Sequence, residues 1–215
     1  TRDVFQPVSG HSALHRTALS LLRPARLSMS NGIQMSDTLI SRIEQAFDEV
    51  EYPGDEFLAR STVGEEAEAL VRDFRGKREW RSLSASFLDQ APEGWGTATA
   101  FLSPEAFRFY LPAYLIADIR GQLQRADPSG RLCLSLTPQG ERKKIAAVWG
   151  GGTMGDYARA EFDRYSGAQV SAVVAYLWWK LTSEGANLVI EQAMENYWLE
   201  REAESAIEAD SGQRR

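Results

Sequence analysis

The sequence predicts an all-α protein, a single compact bundle of six to eight helices with little or no sheet. Three observations point that way. Apolar residues recur every three to four positions through most of residues 36–209, start and stop signals bracket those stretches, and no run of buried β-branched segments exists to build a parallel sheet. At 215 residues, 43% hydrophobic and 25% charged, the chain suits one domain. Six Trp, nine Phe and seven Tyr supply more core material than a disordered chain carries.

Ser36 or Asp37 is expected to cap a first helix with Leu39, Ile40, Ile43, Phe47 and Val50 on one face, stopped at Tyr52-Pro53-Gly54-Asp55. Thr62 and Glu65 form a capping-box pair ahead of a helix that buries Ala67, Leu70, Val71 and Phe74 and ends at Gly76. A short helix over residues 84–90 would bury Phe87 and Leu88, and a loop rich in Pro and Gly follows over 91–96. Ser103-Pro104-Glu105 is the clearest helix start: a serine cap, proline where no N–H is needed, and a carboxylate at the positive end of the dipole. That helix should end at Gly121, with Pro112 kinking it near residues 109–111. Leu132, Leu134 and Leu136 alternate at period two, so residues 131–136 read as a short strand or an extended linker. Thr137-Pro138 reads as a helix start running into residues 145–149. Two long helices close the chain, about 167–183 and from Leu188 on, joined at Glu184-Gly185 so tightly that an antiparallel pair is expected.

Charge and the rarer residues exclude whole kinds of chemistry. Residues 1–34 hold four Arg (Arg2, Arg16, Arg23, Arg26) and one acid, Asp3, whereas the other 181 residues hold 20 basic and 29 acidic groups, a net of −9. Residues 1–35 are expected to be a disordered or weakly docked extension, with Met29 and Met35 as plausible initiators and a transit peptide as the competing reading; residues 210–215 should fray. His11 and His15 are the two histidines, so the body has no Ser-His-Asp triad, no Cys-His pair and no imidazole for a transition metal. No cofactor and no metal are expected; a metal would have to be a hard cation held by carboxylates. Cys133 has no partner for a disulfide and reads as a small buried apolar residue. The longest uncharged apolar stretch of the C-terminal half, residues 167–179, falls short of the roughly 20 residues of a membrane helix.

Four motifs carry a functional reading beside a plain structural one. Residues 150–155 match G-x-G-x-x-G, yet lie among helices and are expected to be a flexible linker. The segment Arg75-Gly76-Lys77-Arg78-Glu79-Trp80-Arg81 offers cations and an aromatic plane to an anion; equally, cations at a helix C-terminus cap carbonyls while Trp80 packs as core. The helix around Arg108, Tyr110 and Tyr114 is aromatic on every side and reads as the bundle's centre, with a cleft-lining helix as the alternative; buried hydroxyls there need partners and Arg108 needs a carboxylate. Glu65 with Glu68, and Glu191 with Glu195, read as solvated acidic faces.

The strings LISRIEQAF, YPGD, FRGK with Trp80 soon after, FLSPEAFRFYLPAYL and SLTP together span residues 39–138, with a weaker echo in QVSAVVAYLWWKL. In these the chain resembles a family of small bacterial proteins of unknown function. The glycine stretch looks like an insertion and residues 1–34 lie outside the pattern. The resemblance implies a bacterial, cytoplasmic setting and carries over no catalytic residue.

The leading expectation is therefore an acidic helical factor, immunity-type or accessory, that binds another protein, itself basic. The alternative is a small-ligand or phosphate-metabolite protein or enzyme using Arg75, Lys77, Arg78, Trp80, Arg108, Tyr110 and Tyr114. The acidic body disfavours nucleic acid.

Overall fold

The computed structural model describes residues 29–61, 63–90, 98–147 and 150–213, the side chains of 29–33 and 211–213 excepted. His11, His15, Thr62, Trp149 and the loop at 91–96 lie outside them. Among the described residues there is no strand; two isolated bridges, Ala59 with Leu102 and Lys144 with Thr153, are the extended pairings.

The first helix, α1 (Met29–Ala46), begins earlier than the expected cap at Ser36 or Asp37, both of which lie inside it, and it buries Leu39, Ile40, Ile43 and, just beyond its end, Phe47. A 3-10 turn (Asp55–Phe57) leads towards α2 (Glu65–Phe74), whose N-cap is Gly64 rather than the expected Thr62. Its buried face is Ala67, Leu70 and Phe74. A second 3-10 turn (Trp80–Ser82) buries Trp80, and the short helices α3 (Ala85–Gln90) and α4 (Ala98–Phe101) follow.

Helix α5 (Pro104–Ile119) is the centre of the molecule: twelve of its sixteen residues are buried, on every face. The Ser103 hydroxyl accepts the Ala106 N–H at 3.0 Å, as a serine cap should. Gly121 follows the helix with φ 66° and its N–H returns to the Asp118 carbonyl. Helix α1, the Trp80–Ser82 turn, α3 and the next helix all pack on α5.

The segment expected to be extended is helical. Asp127 caps α6 (Pro128–Cys133), and a 3-10 turn (Leu134–Leu136) continues it. Leu132 and Leu136 are buried one turn apart while Leu134 is 63% exposed, so the apparent period-two pattern is a helical one with its middle leucine in water. Cys133 is buried as expected, and burial raises its thiol pKa far above the ordinary range. Helix α7 (Pro138–Arg142) stops well short of residue 145. It lies against the preceding turn so closely that a Cβ on Gly140 would sit 2.2 Å from the Ser135 carbonyl oxygen, which demands glycine. The chain then doubles back: Ile145 N–H reaches the Gly152 carbonyl and Met154 N–H the Lys143 carbonyl, both at 2.9 Å. The glycine stretch is thus the return of a closed loop rather than a loose linker.

Helix α8 (Met154–Phe162) opens with a Thr153–Asp156 capping box, and α9 (Gly167–Ser183) with a Ser166–Gln169 one. After Asn187, α10 (Leu188–Ala193), a π-helical turn (Met194–Trp198) and α11 (Leu199–Gln213) run on as one rod. The rod packs back on α9 in antiparallel sense: Ser171 bonds Glu202 at 2.6 Å, and Gly167 nearly touches Ser205. Two bonds anchor the π turn to α6 and the turn after it, Trp198 Nε1 to the Leu132 carbonyl and Asn196 Nδ2 to the Leu136 carbonyl, each 2.9 Å.

Two polar clusters lock the helices together. Arg131 donates to Glu161 at 2.7 Å and to the carbonyls of Thr99 and Leu102 at 2.7 and 2.8 Å, lies on the Phe107 ring, and shares Glu161 with Arg60. Burial lowers the Arg131 pKa to about 10, with Glu161 opposing the shift, so it keeps its charge at neutral pH. Elsewhere, Lys180 bonds Asp118 and Glu184 at 2.8 and 3.0 Å, and Asp118 also accepts the Tyr176 hydroxyl. Burial opposes the Lys180 charge, but those carboxylates outweigh it and the pKa rises.

Tyr114 is fully buried and its hydroxyl has no hydrogen-bond partner among the described residues. An orphaned buried hydroxyl costs about 1–3 kcal/mol, so Tyr114→Phe should hold or raise stability by up to that amount in urea unfolding; marked destabilisation would show that the hydroxyl is satisfied. Asp89 accepts the N–H groups of Gln124, Arg125 and Ala126 at 3.0, 2.6 and 2.8 Å. Burial pushes the Asp89 pKa up, but those three bonds together leave it lowered. A carboxylate with a depressed folded pKa stabilises above its unfolded value near 3.9 and loses that contribution as pH falls through the folded one. The stability gap between wild type and Asp89→Ala should therefore be full at pH 7 and shrink below about pH 4, as read by unfolding midpoints across pH.

Candidate functional site

A groove of about 490 Å³ runs along the start of α11, lined by Arg159, Asp163, Tyr197, Glu200, Arg201, Glu204 and Glu208. Local sequence explains the lining. Tyr197, Arg201, Glu204 and Glu208 follow one another at helical spacing, so one face of the rod presents them in a row, and α8 with its C-terminal turn supplies Arg159 and Asp163. The π turn ends at Trp198, directly where the groove begins; such turns recur at functional sites because they re-aim side chains without ending a helix.

The groove is negative. Arg159 is matched by Glu141, which it bonds at 2.8 Å, and it also donates to the Asn196 carbonyl at 3.0 Å and lies over the Tyr197 ring. Arg201 donates to Ser205 at 3.1 Å and stands 3.8 Å from Glu204. Beside Arg201 stand Asp163, Glu200, Glu204 and Glu208, so carboxylates outnumber cations along the groove. The Tyr197 hydroxyl donates to Asp163 at 2.8 Å; burial first, then that carboxylate, hold its pKa far above the ordinary value, so the phenol stays neutral and fixes the carboxylate. The arrangement suits ammonium or guanidinium groups.

The residues singled out from the sequence fall into three places. Arg75, Lys77 and Arg78 are exposed together on the loop after α2, with Trp80 buried beneath and Tyr110 reaching them from α5 through a 2.7 Å bond to the Lys77 carbonyl. Burial, with Tyr52 and Asp55 nearby, pushes the Tyr110 pKa far up. Arg108 points elsewhere: instead of the expected carboxylate it finds the Gln169 amide oxygen at 3.0 Å and the Tyr165 ring. Tyr114 lies in the core. The helix 104–119 therefore does not gather Arg108, Tyr110 and Tyr114 into one cleft. Among the described residues no group of three or more His, Cys, Asp or Glu is arranged to hold a metal, the pairs at Glu65 and Glu191 included. Nor is any helix among them long and apolar enough to cross a membrane.

The groove itself was not singled out from the sequence. A usable signal was present, since five acids and one Arg follow Trp198 within residues 199–210. The π turn that orients them leaves no trace in apolar periodicity.

No curated protein and no solved structure matches the chain. A family model described as a family of unknown function, DUF6714, matches residues 35–202, which take in the whole bundle from the first helix to the start of α11. The chain belongs to the DUF6714 family.

Proposed function

We propose that this protein works by binding another protein, as an accessory or immunity-type factor, and that its groove receives a basic segment of the partner. The observation that carries the reading is the groove, where four carboxylates outnumber the guanidinium groups of Arg159 and Arg201 beside a neutral tyrosine. The surplus of nine acids over bases in residues 35–215 acts in the same direction at longer range, because a negative body raises the encounter rate with a positive partner. Contacts of this kind lie at the rim of an interface, so they set partner choice and on-rate more than affinity.

The test uses an Arg/Lys-rich peptide titrated into the full chain by calorimetry. Saturable one-to-one binding that weakens as salt rises is expected, with a loss of at least about tenfold in the double variant Glu200→Lys, Glu204→Lys. Equal affinity for wild type and the charge-reversed protein would overturn the assignment. Both glutamates are exposed, so the substitutions should leave unfolding midpoints nearly unchanged.

A further inference from the structure

A second surface, of opposite sign and on other elements, has a more deliberate construction. Four consecutive residues after α2, Arg75-Gly76-Lys77-Arg78, are all exposed, and exposed loops of this sort are ordinarily the least constrained part of a fold. Here each turn of the backbone is held. Gly76 takes φ 71°, and its N–H donates to the Asp55 carboxylate at 2.9 Å. Lys77 N–H returns to the Phe74 carbonyl and Arg78 N–H to the Gly76 carbonyl, each 3.0 Å, which makes Lys77 the apex of a three-residue γ-turn. The Lys77 carbonyl in turn accepts the Tyr110 hydroxyl from the central helix.

The groups that hold the loop are themselves fixed. Tyr52 donates its hydroxyl to Asp55 and packs edge-on against Phe109, while Phe74 and Phe109 enclose Tyr110. Burial and then the Asp55 contact raise the Tyr52 pKa to about 12, and the same bond, with the Gly76 N–H, lowers that of Asp55. Three separated stretches, at 52–55, 74–78 and 109–110, thus converge to immobilise one exposed turn.

That turn displays cations. Lys77 Nζ lies over the Phe87 ring at 5.2 Å, and the Arg78 guanidinium over the Tyr52 ring at 5.7 Å. Neither they nor Arg75 form an ion pair within 4 Å among the described residues, whereas nearby Arg81 is paired with Asp48 at 2.6 Å. A cation resting on a ring face is oriented but not neutralised: a guanidinium stacked this way keeps its in-plane N–H donors for a bidentate acceptor. Capping α2 does not account for this. A basic residue at a helix C-terminus complements the dipole wherever it swings, and it needs no buried tyrosine to fix the turn beyond it. Holding three like charges within four residues also costs repulsion, which Asp55 offsets in part and an arriving anion relieves further.

We infer that residues 75–78 form an oxyanion-binding site, with Arg78 and Lys77 as oriented donors, Arg75 as supporting charge, and Asp55, Tyr52 and Tyr110 as positioning residues. The ligand is a phosphoryl or carboxylate group, borne by a small metabolite or by an acidic peptide segment. A duplex is the wrong shape of anion for it, since the rest of the body repels extended polyanions. The site is independent of the acidic groove.

Inorganic pyrophosphate and an Asp/Glu-rich peptide serve as probes, followed by amide and Arg Nε shifts in nitrogen-15 spectra of the full chain. The inference predicts saturable shifts centred on residues 75–78, weakened at least about tenfold in Arg78→Gln and Lys77→Gln. Tyr110→Phe keeps every charge and removes one clamp, so it should weaken binding while a merely structural tyrosine would change only the melting midpoint. Saturation by pyrophosphate assigns the phosphoryl source, and saturation by the peptide alone assigns the acidic segment. Shifts that merely track ionic strength, or persist unchanged in Arg78→Gln with the fold intact, would overturn the site.

Discussion

The arrangement of the bundle depends on one ion cluster, buried at Arg131 and Glu161 and open to solvent at Arg60. Arg131 alone ties the ends of α4 and the start of α5 to α6, through the Thr99 and Leu102 carbonyls, and ties α6 to α8 through Glu161. Arg60, bonding both Glu161 and the Leu102 carbonyl, adds the strand-like stretch that bridges to Leu102. Buried ion pairs often add little stability over an apolar core of the same shape, while removing one partner costs about 3–5 kcal/mol. Here an apolar replacement of the whole cluster would also remove the guanidinium donors that Arg131 gives to the Thr99 and Leu102 carbonyls. The cluster therefore specifies which helix ends meet, in addition to holding them.

Its consequence reaches the groove. Glu161 lies on α8, the helix that also carries Arg159, and α6 supplies through Leu132 the carbonyl that anchors Trp198 and so the π turn. Fixing α6 against α8 thus sets the distance between the two walls of the groove. Arg159 reaches from the α8 wall to the Asn196 carbonyl of the other and is also bonded to Glu141 of α7. The groove's geometry follows from the core and not from the residues that line its mouth.

This explains what could be read from the sequence and what could not. Local signals were legible: the Ser103-Pro104 start of α5, the Gly121 stop, the buried Trp80 and Cys133, the limits of α9. Residues 131–136 were misread because three alternating leucines satisfy a strand pattern as well as a helix whose middle residue faces water. Arg131, Glu161 and Arg60 stand up to 101 positions apart, and nothing local distinguishes them from surface charges. The loop at 75–78 was legible as a cluster of cations but not as a clamped one, since its clamps come from Asp55 and Tyr110. Arg108 was grouped with it by helix spacing, although on a helix buried all round every face is a wall, and adjacent residues serve different neighbours.

The two charged surfaces differ in how they are made. The acidic groove is a row on a helix face, adaptable at its rim and backed by a rigid π turn. The basic turn is a loop made rigid by tyrosines rooted in the central helix, with its charges spread over aromatic rings. The second fixes the backbone of an exposed turn before anything binds, and fixing it costs conformational entropy that folding alone gives no reason to spend. Tyr110 of the innermost helix thus holds the backbone of an exposed turn that carries an oriented cation pair, and that orientation suits the inferred oxyanion, an acceptor of fixed geometry.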